Sequence, residues 1–163
     1  MNTAETMQAV IFRLGEESFA LPVGLVREIL DYRAACRLPG APAWLMGLID
    51  VRGQSVPIAD LRLRLGMEPA QVGLSTRVLV VELPRGGRDG QTLVLGLVVD
   101  RVLDVSTFTA QATEHRPDIG TAWRDDIIET VMRDEQGFVL LLNIFTVLVG
   151  AELGDLTAYG QAA

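Results

Sequence analysis

Few side chains in this chain could do covalent or acid–base chemistry. There is one histidine, His115, and one cysteine, Cys36; the fourteen basic residues are all arginine, with no lysine. Without lysine there is no Walker lysine on a phosphate, no Schiff base and no lysine of a phosphorelay receiver. A nucleophile–base pair would need a serine or Cys36 beside His115. His115 lies in TEHRPD, a polar stretch that reads as a loop, and no GxSxG turn surrounds Ser18, Ser55, Ser75 or Ser106. Asp125–Asp126 precede an apolar run and read as a strand lead-in facing water. The glycines of PRGGRDG lack a following helix, which argues against a phosphate cradle. Trp44 and Trp123 sit in no basic–aromatic pattern and read as packing residues. Cysteine and histidine counts exclude a Cys/His zinc cluster and an internal disulfide. No cofactor or metal is called for.

What remains is an arginine: Arg52, in IDVRGQSVPIADL, Ile49 to Leu61, between two short apolar runs. It admits two readings. Gly53 supplies a positive-φ turn position and Arg52 points into water, or the turn fixes a planar guanidinium where it meets a partner's carboxylate or carbonyl.

The elements that must position it read as strands. The chain has 163 residues with 49% apolar and 21% charged side chains, which suits one domain or two intimately packed lobes. Net charge is -7, which opposes a phosphate backbone, so nucleic acid is not an expected partner. The N-terminus shows no signal-peptide pattern. The apolar run Phe138 to Ala151 falls short of the roughly 20 residues of a spanning helix, so a soluble protein with no direct membrane insertion is expected. A single unpaired cysteine is compatible with a reducing compartment.

Four hairpins are expected: Ala9–Leu14 with Ser18–Val23, Leu48–Val51 with Ser55–Ala59, Arg77–Leu83 with Thr92–Val99, and Ile127–Met132 with Phe138–Leu142. Short helices fit Leu61–Leu65 and Ile144–Val149, behind Asp60 and Asn143 as N-caps, and the tail from Glu152. There is an internal repeat. LPVGLVREI, from Leu21, matches LVVDRVLDV, from Leu97, placing Val26 over Val102 and Glu28 over Asp104. VPIADL matches VLLLNI, placing Asp60 over Asn143. Two copies of one β unit, divided near Gly66 to Ser75, give a mainly β, barrel-like fold.

FRLGEESFALPVGLVREIL, LPGAPAWLMGLIDVRGQSVPIADLRLRLG, LGLVVDRVLDV and the hairpin ending VLLLNIFTVL together resemble the CheW-like family of chemotaxis coupling proteins. The pattern Gly47-x-x-x-x-Arg52-Gly53-x-x-x-Pro57-x-x-Asp60-Leu61 is the most specific part. The resemblance implies one domain over residues 8–150, built as two intertwined five-stranded β-barrels, with a tail over 151–163. It implies a non-catalytic adaptor that bridges the cytoplasmic hairpin tip of a chemoreceptor to the regulatory domain of a CheA-type histidine kinase. The receptor tip would lie in the groove between the barrels, at positions matching Val26, Glu28, Gly47, Arg52 and Gly96, with the glycines letting the partner's backbone come close. No kinase-binding residue is assigned. Self-association into array rings and a cytoplasmic location at membrane-associated receptor arrays follow from the same resemblance. An equivalent adaptor controlling pili, surface behaviour or second-messenger output is the alternative, and a small β-barrel enzyme ranks behind both. Asp50 departs from the asparagine common in the family and adds charge beside Arg52. Glu114 to Trp123 matches poorly.

Overall fold

The computed structural model describes residues 6–84, 92–109, 113–114 and 127–148. His115, Trp123, Asp125, Asp126, the loop after Pro84 and the tail lie outside them. Eleven strands and two short helices follow in order: β1 Thr6–Leu14, β2 Glu17–Pro22, β3 Val26–Asp31, β4 Leu45–Val51, β5 Gln54–Asp60, α1 Leu61–Arg64, β6 Arg77–Pro84, β7 Thr92–Val99, β8 Arg101–Thr109, β9 Thr113–Glu114, β10 Ile128–Asp134, β11 Gly137–Leu142 and α2 Ile144–Val147. A single 3-10 turn, Val23–Leu25, joins β2 to β3.

The strands form two sheets, in the orders β8-β1-β2-β11-β10-β9 and β3-β6-β7-β5-β4. The expected mainly β class holds, with one difference in count: the first sheet gains the two-residue strand β9. Each sheet takes strands from both halves of the chain: β3 to β7 form the five-stranded sheet, and β1, β2 and β8 to β11 the six-stranded one. The first hairpin, β1–β2, lies between β8 and β11, and the third, β6–β7, lies between β3 and β5. The barrels are intertwined because each half of the chain places its first hairpin in the sheet of the other half.

Registers carry the repeat further than the residue match. Val26 pairs Val81, and Val102 pairs Phe12. Ile58 lies beside Gly96 in the parallel pair β5–β7, and Leu141 beside Ala20 in the parallel pair β11–β2. Ladder irregularities recur at matching places, between Val26 and Glu28 and opposite Ile11 and Phe12, where β8 passes from Asp104 to Val102. They recur again between Leu45 and Gly47 and between Ile128 and Thr130. Each is an extra residue that kinks its strand.

Alternation along the strands divides the apolar residues into three cores. Phe12, Leu21, Leu79 and Leu97 belong to the largest, which takes side chains from both sheets. Ile11, Ala20, Met132 and Leu141 form the core of the six-stranded sheet's other face. Ile58, Val78, Val80 and Val98 form that of the five-stranded sheet. Trp44, 8% exposed, packs in the shared core, as its sequence context suggested.

Both expected caps are present. The Asp60 Oδ1 accepts the Arg62 N–H at 3.0 Å, and the Asn143 Oδ1 accepts the Thr146 N–H at 3.3 Å. Asp60 also accepts the Ala70 N–H on Oδ2 at 2.9 Å, which fixes the start of the segment leading to β6. Arg64 stacks over Trp44 at 5.0 Å and donates to the Val147 carbonyl, tying α1 to the end of α2.

Candidate docking site at the barrel mouth

Arg52 and Gly53 form the two-residue turn between β4 and β5, where Val51 pairs Gln54. Both have positive φ, +53° and +83°. Two consecutive positive φ values mark the turn whose twist matches a tight hairpin. Glycine adopts this conformation freely, whereas a side-chain-bearing residue there costs about 1–2 kcal/mol. Arg52 is the one non-glycine residue with positive φ among the described residues.

Two contacts brace this turn. The Asp50 Oδ1 accepts the Gly53 N–H at 2.8 Å, and Arg33 donates from Nη1 to the Asp50 carbonyl at 2.8 Å. Asparagine would offer the first contact equally well, so Asp50 keeps the turn geometry and adds a negative charge beside it. Nothing in the sequence pattern marked Arg33 for this role.

So held, Arg52 places Nη1 2.6 Å from Glu28 Oε2. The pair is asymmetric: the Arg52 side chain is 76% exposed and that of Glu28 16%. Glu28 pairs Val80, whose side chain lies in the five-stranded sheet's own core, so the carboxylate sits at the mouth of that barrel under the guanidinium. One N–H of a five-donor fork reaches Glu28, and the planar group faces outward.

The contact also crosses a seam. β3 and β4 are the two ends of the five-stranded sheet. The segment that follows β3 meets β4 in one isolated bridge, in which the Cys36 and Leu48 backbones exchange hydrogen bonds at 2.8 and 2.9 Å. Gly47 makes that bridge feasible. Its φ is +140°, and a Cβ there would stand 2.2 Å from the Cys36 carbonyl oxygen.

The five positions singled out in the sequence therefore separate. Glu28 and Arg52 touch. Val26 does not share their face: the extra residue Arg27 breaks the strand alternation, and Val26 packs on the shared core while Glu28 points to the barrel core. Gly47 and Gly96 are buried. A Cβ on Gly96 would meet Val78 Cγ1 at 2.6 Å and Ile58 Cγ2 at 2.8 Å. The space both glycines leave is filled by the chain's own atoms, so they shape the barrel wall from within.

Comparison with known proteins agrees with this architecture. A family model described as "CheW-like domain" matches residues 8–152. The probable chemotaxis protein CheW of Rhizobium etli is 29% identical over 137 residues, 84% of each chain. Protein PilI of Pseudomonas aeruginosa is 31% identical over 137 residues, covering 83% of this chain and 72% of PilI. Among solved structures, the scaffolding protein TtCheW of Thermoanaerobacter tengcongensis superposes with a TM-score of 0.76 at 23% identity, covering 91% of this chain and 96% of that one. The doubled and interleaved β unit, the arginine turn and the matched span agree: this chain belongs to the CheW-like domain family.

Proposed function

We propose that this chain is a non-catalytic chemosensory adaptor that couples the cytoplasmic hairpin tip of a chemoreceptor to the regulatory domain of a CheA-type histidine kinase. Membership of the CheW-like family over residues 8–152 is the observation that carries this reading. The geometry supports it at the receptor side. Arg52 is braced from two directions and held outward on a turn that disfavours its side chain, which suits an arginine fixed for recognition. Val26 and Ile29, the latter 41% exposed, lie on the other face of β3, toward the shared core, and offer apolar surface to the same partner. Glu28 orients the guanidinium. Gly47 and Gly96 act indirectly, by keeping the barrel wall thin.

On this reading the protein works at the cytoplasmic side of membrane-associated receptor arrays, where copies also associate with one another in rings. No helix among the described residues is long and apolar enough to cross a membrane, consistent with recruitment rather than insertion. The similarity to PilI favours a second reading: the same adaptor role in a chemosensory-like pathway whose output is not swimming. The test is a titration of the purified chain with a receptor-tip fragment and, separately, with the kinase regulatory domain. Saturable binding of both supports the adaptor reading. Binding of neither overturns it.

A further inference from the structure

The internal repeat sets two crossovers between the sheets in equivalent positions. β2 leaves the six-stranded sheet for β3 of the five-stranded one through the turn Val23–Leu25. β7 passes back to β8 through a single residue, Asp100. The alignment that places Val26 over Val102 places Gly24 over Asp100. The one that places Asp60 over Asn143 places Arg62 of α1 over Phe145 of α2.

At the second crossover these positions are locked together. One oxygen, Asp100 Oδ2, accepts the Gly15 N–H and an Arg62 Nη1 proton, each at 2.6 Å. The Asp100 amide donates to the Arg13 carbonyl at 3.1 Å, and Arg62 Nε donates to the Glu68 carbonyl at 2.8 Å. The Arg62 and Asp100 side chains are 17% and 29% exposed, so water competes weakly for these charge-assisted bonds. The β1–β2 turn, α1 and the crossover are all held to one carboxylate.

At the first crossover the lock is missing. Gly24 and Phe145 both line an open cavity of about 490 Å³, together with Leu25. Val23 and Phe145 are exposed. The turn buries none of its three residues, has no side-chain cap, and is closed by the Val26 N–H donating to the Val23 carbonyl. Gly24 does not have a positive φ, and a Cβ there would meet nothing within 4 Å. Neither turn shape nor packing calls for glycine at this position; what glycine adds is backbone freedom.

We propose that Gly24 is a hinge on which β3 moves, and that Asp100 is the positioning residue that denies β8 the same motion. A hinge is a few element-terminal residues that absorb a dihedral change, and segments with few buried contacts open first. β3 ends its sheet and is laddered to β6 alone, so it can shift without breaking a second ladder. Its motion carries Glu28 relative to Arg52, which stands at the other end of the sheet. The use of this motion in receptor docking rests on the adaptor reading, and the test separates the two.

The test is hydrogen exchange read by NMR on the full chain without partners. The Val26 and Asp100 amides each donate to one carbonyl at their crossover, so their protection factors compare directly. That of Val26 is expected to be at least tenfold lower. Asp100→Ala should bring the amide at that position to within threefold of Val26, and Asp100→Asn, which keeps an oxygen for Gly15, should recover part of the difference. Gly24→Asp combined with Phe145→Arg rebuilds the lock at the first crossover and should raise Val26 protection at least tenfold. In this variant, binding of the receptor-tip fragment should weaken at least threefold while binding of the kinase regulatory domain is unchanged. Equal protection of Val26 and Asp100 in the unaltered chain would overturn the hinge, whether or not any variant folds. A folded locked variant with full receptor-tip affinity would overturn its part in docking. Failure of the unaltered chain to bind either partner overturns the adaptor reading and leaves the exchange result to decide the hinge.

Discussion

The Arg52 guanidinium reaches across the open seam of the five-stranded sheet to Glu28, 2.6 Å away, and joins the turn after β4 to the far edge strand β3. The contact is a charge-assisted hydrogen bond with one partner largely buried, so it contributes more than a freely solvated pair. A double-mutant cycle of Arg52→Ala and Glu28→Ala, followed by urea unfolding, should give a coupling energy of about 1 kcal/mol. Purely additive effects would mean that the contact carries no energy. In the same variants, binding of the receptor-tip fragment should weaken by roughly 1–3 kcal/mol.

Backbone strain at the turn separates two roles of Arg52. In Arg52→Ala the strained φ of +53° remains, and in Arg52→Gly it is released. The glycine variant should be more stable than the alanine variant by about 1 kcal/mol. Both should lose receptor-tip binding equally. A glycine variant that retained binding would show that turn shape, and not the guanidinium, is recognised.

Gly47→Ala should be the most damaging single-methyl change in the β4 hairpin. The added Cβ would lie 2.2 Å from a backbone carbonyl, which has no rotamer to yield. A loss of about 3 kcal/mol or more is expected. Hydrogen exchange should show the cause: the Cys36 and Leu48 amides lose protection while the β6–β7 ladder keeps its own. Gly96→Ala meets methyl groups instead and should cost about 1–3 kcal/mol.

The two helix caps should respond unequally. Asp60, 3% exposed, accepts two backbone amides, those of Arg62 and Ala70. Asn143 accepts one, at the longer distance of 3.3 Å. Asp60→Ala should cost about 2–3 kcal/mol and Asn143→Ala about 1 kcal/mol or less, read from thermal melts. Equal losses would mean that the Ala70 contact adds nothing.

Much of the fold was legible. The four hairpins and both caps follow from apolar runs and turn residues, which are local signals, and the correspondence of Val26 with Val102 follows from the repeat. β3 and β8 were visible only through the repeat, because their half-buried alternation carries charges at Arg27, Glu28 and Asp104. The exchange of hairpins between the sheets was not legible from local pattern, since alternation reports which face is buried and not which strand lies alongside. At the site, Arg52 stood out by elimination and by its place between two apolar runs; its own positive φ was not legible, since Gly53 alone was read as the positive-φ position. The bulge at Arg27 left no mark, so Val26 and Glu28 appeared to share a face. Gly47 and Gly96 were noticed as places of close approach; the space beside them is taken by this chain's own atoms, the Cys36 carbonyl at Gly47 and the Val78 and Ile58 methyls at Gly96.

Because each half lends its first hairpin to the other, the molecule has the topology of a symmetric dimer tied into one polypeptide. The segment from Gly66 to Thr76 tethers the two halves at high effective concentration, and its first part, through Ala70, also packs on the first half. Neither half owns a complete sheet, so neither should fold alone. A chain nicked between Val72 and Gly73, at residues exposed to solvent, should remain assembled. Separately produced fragments should regain the native spectrum on mixing, with a second-order rate that the tether makes first-order.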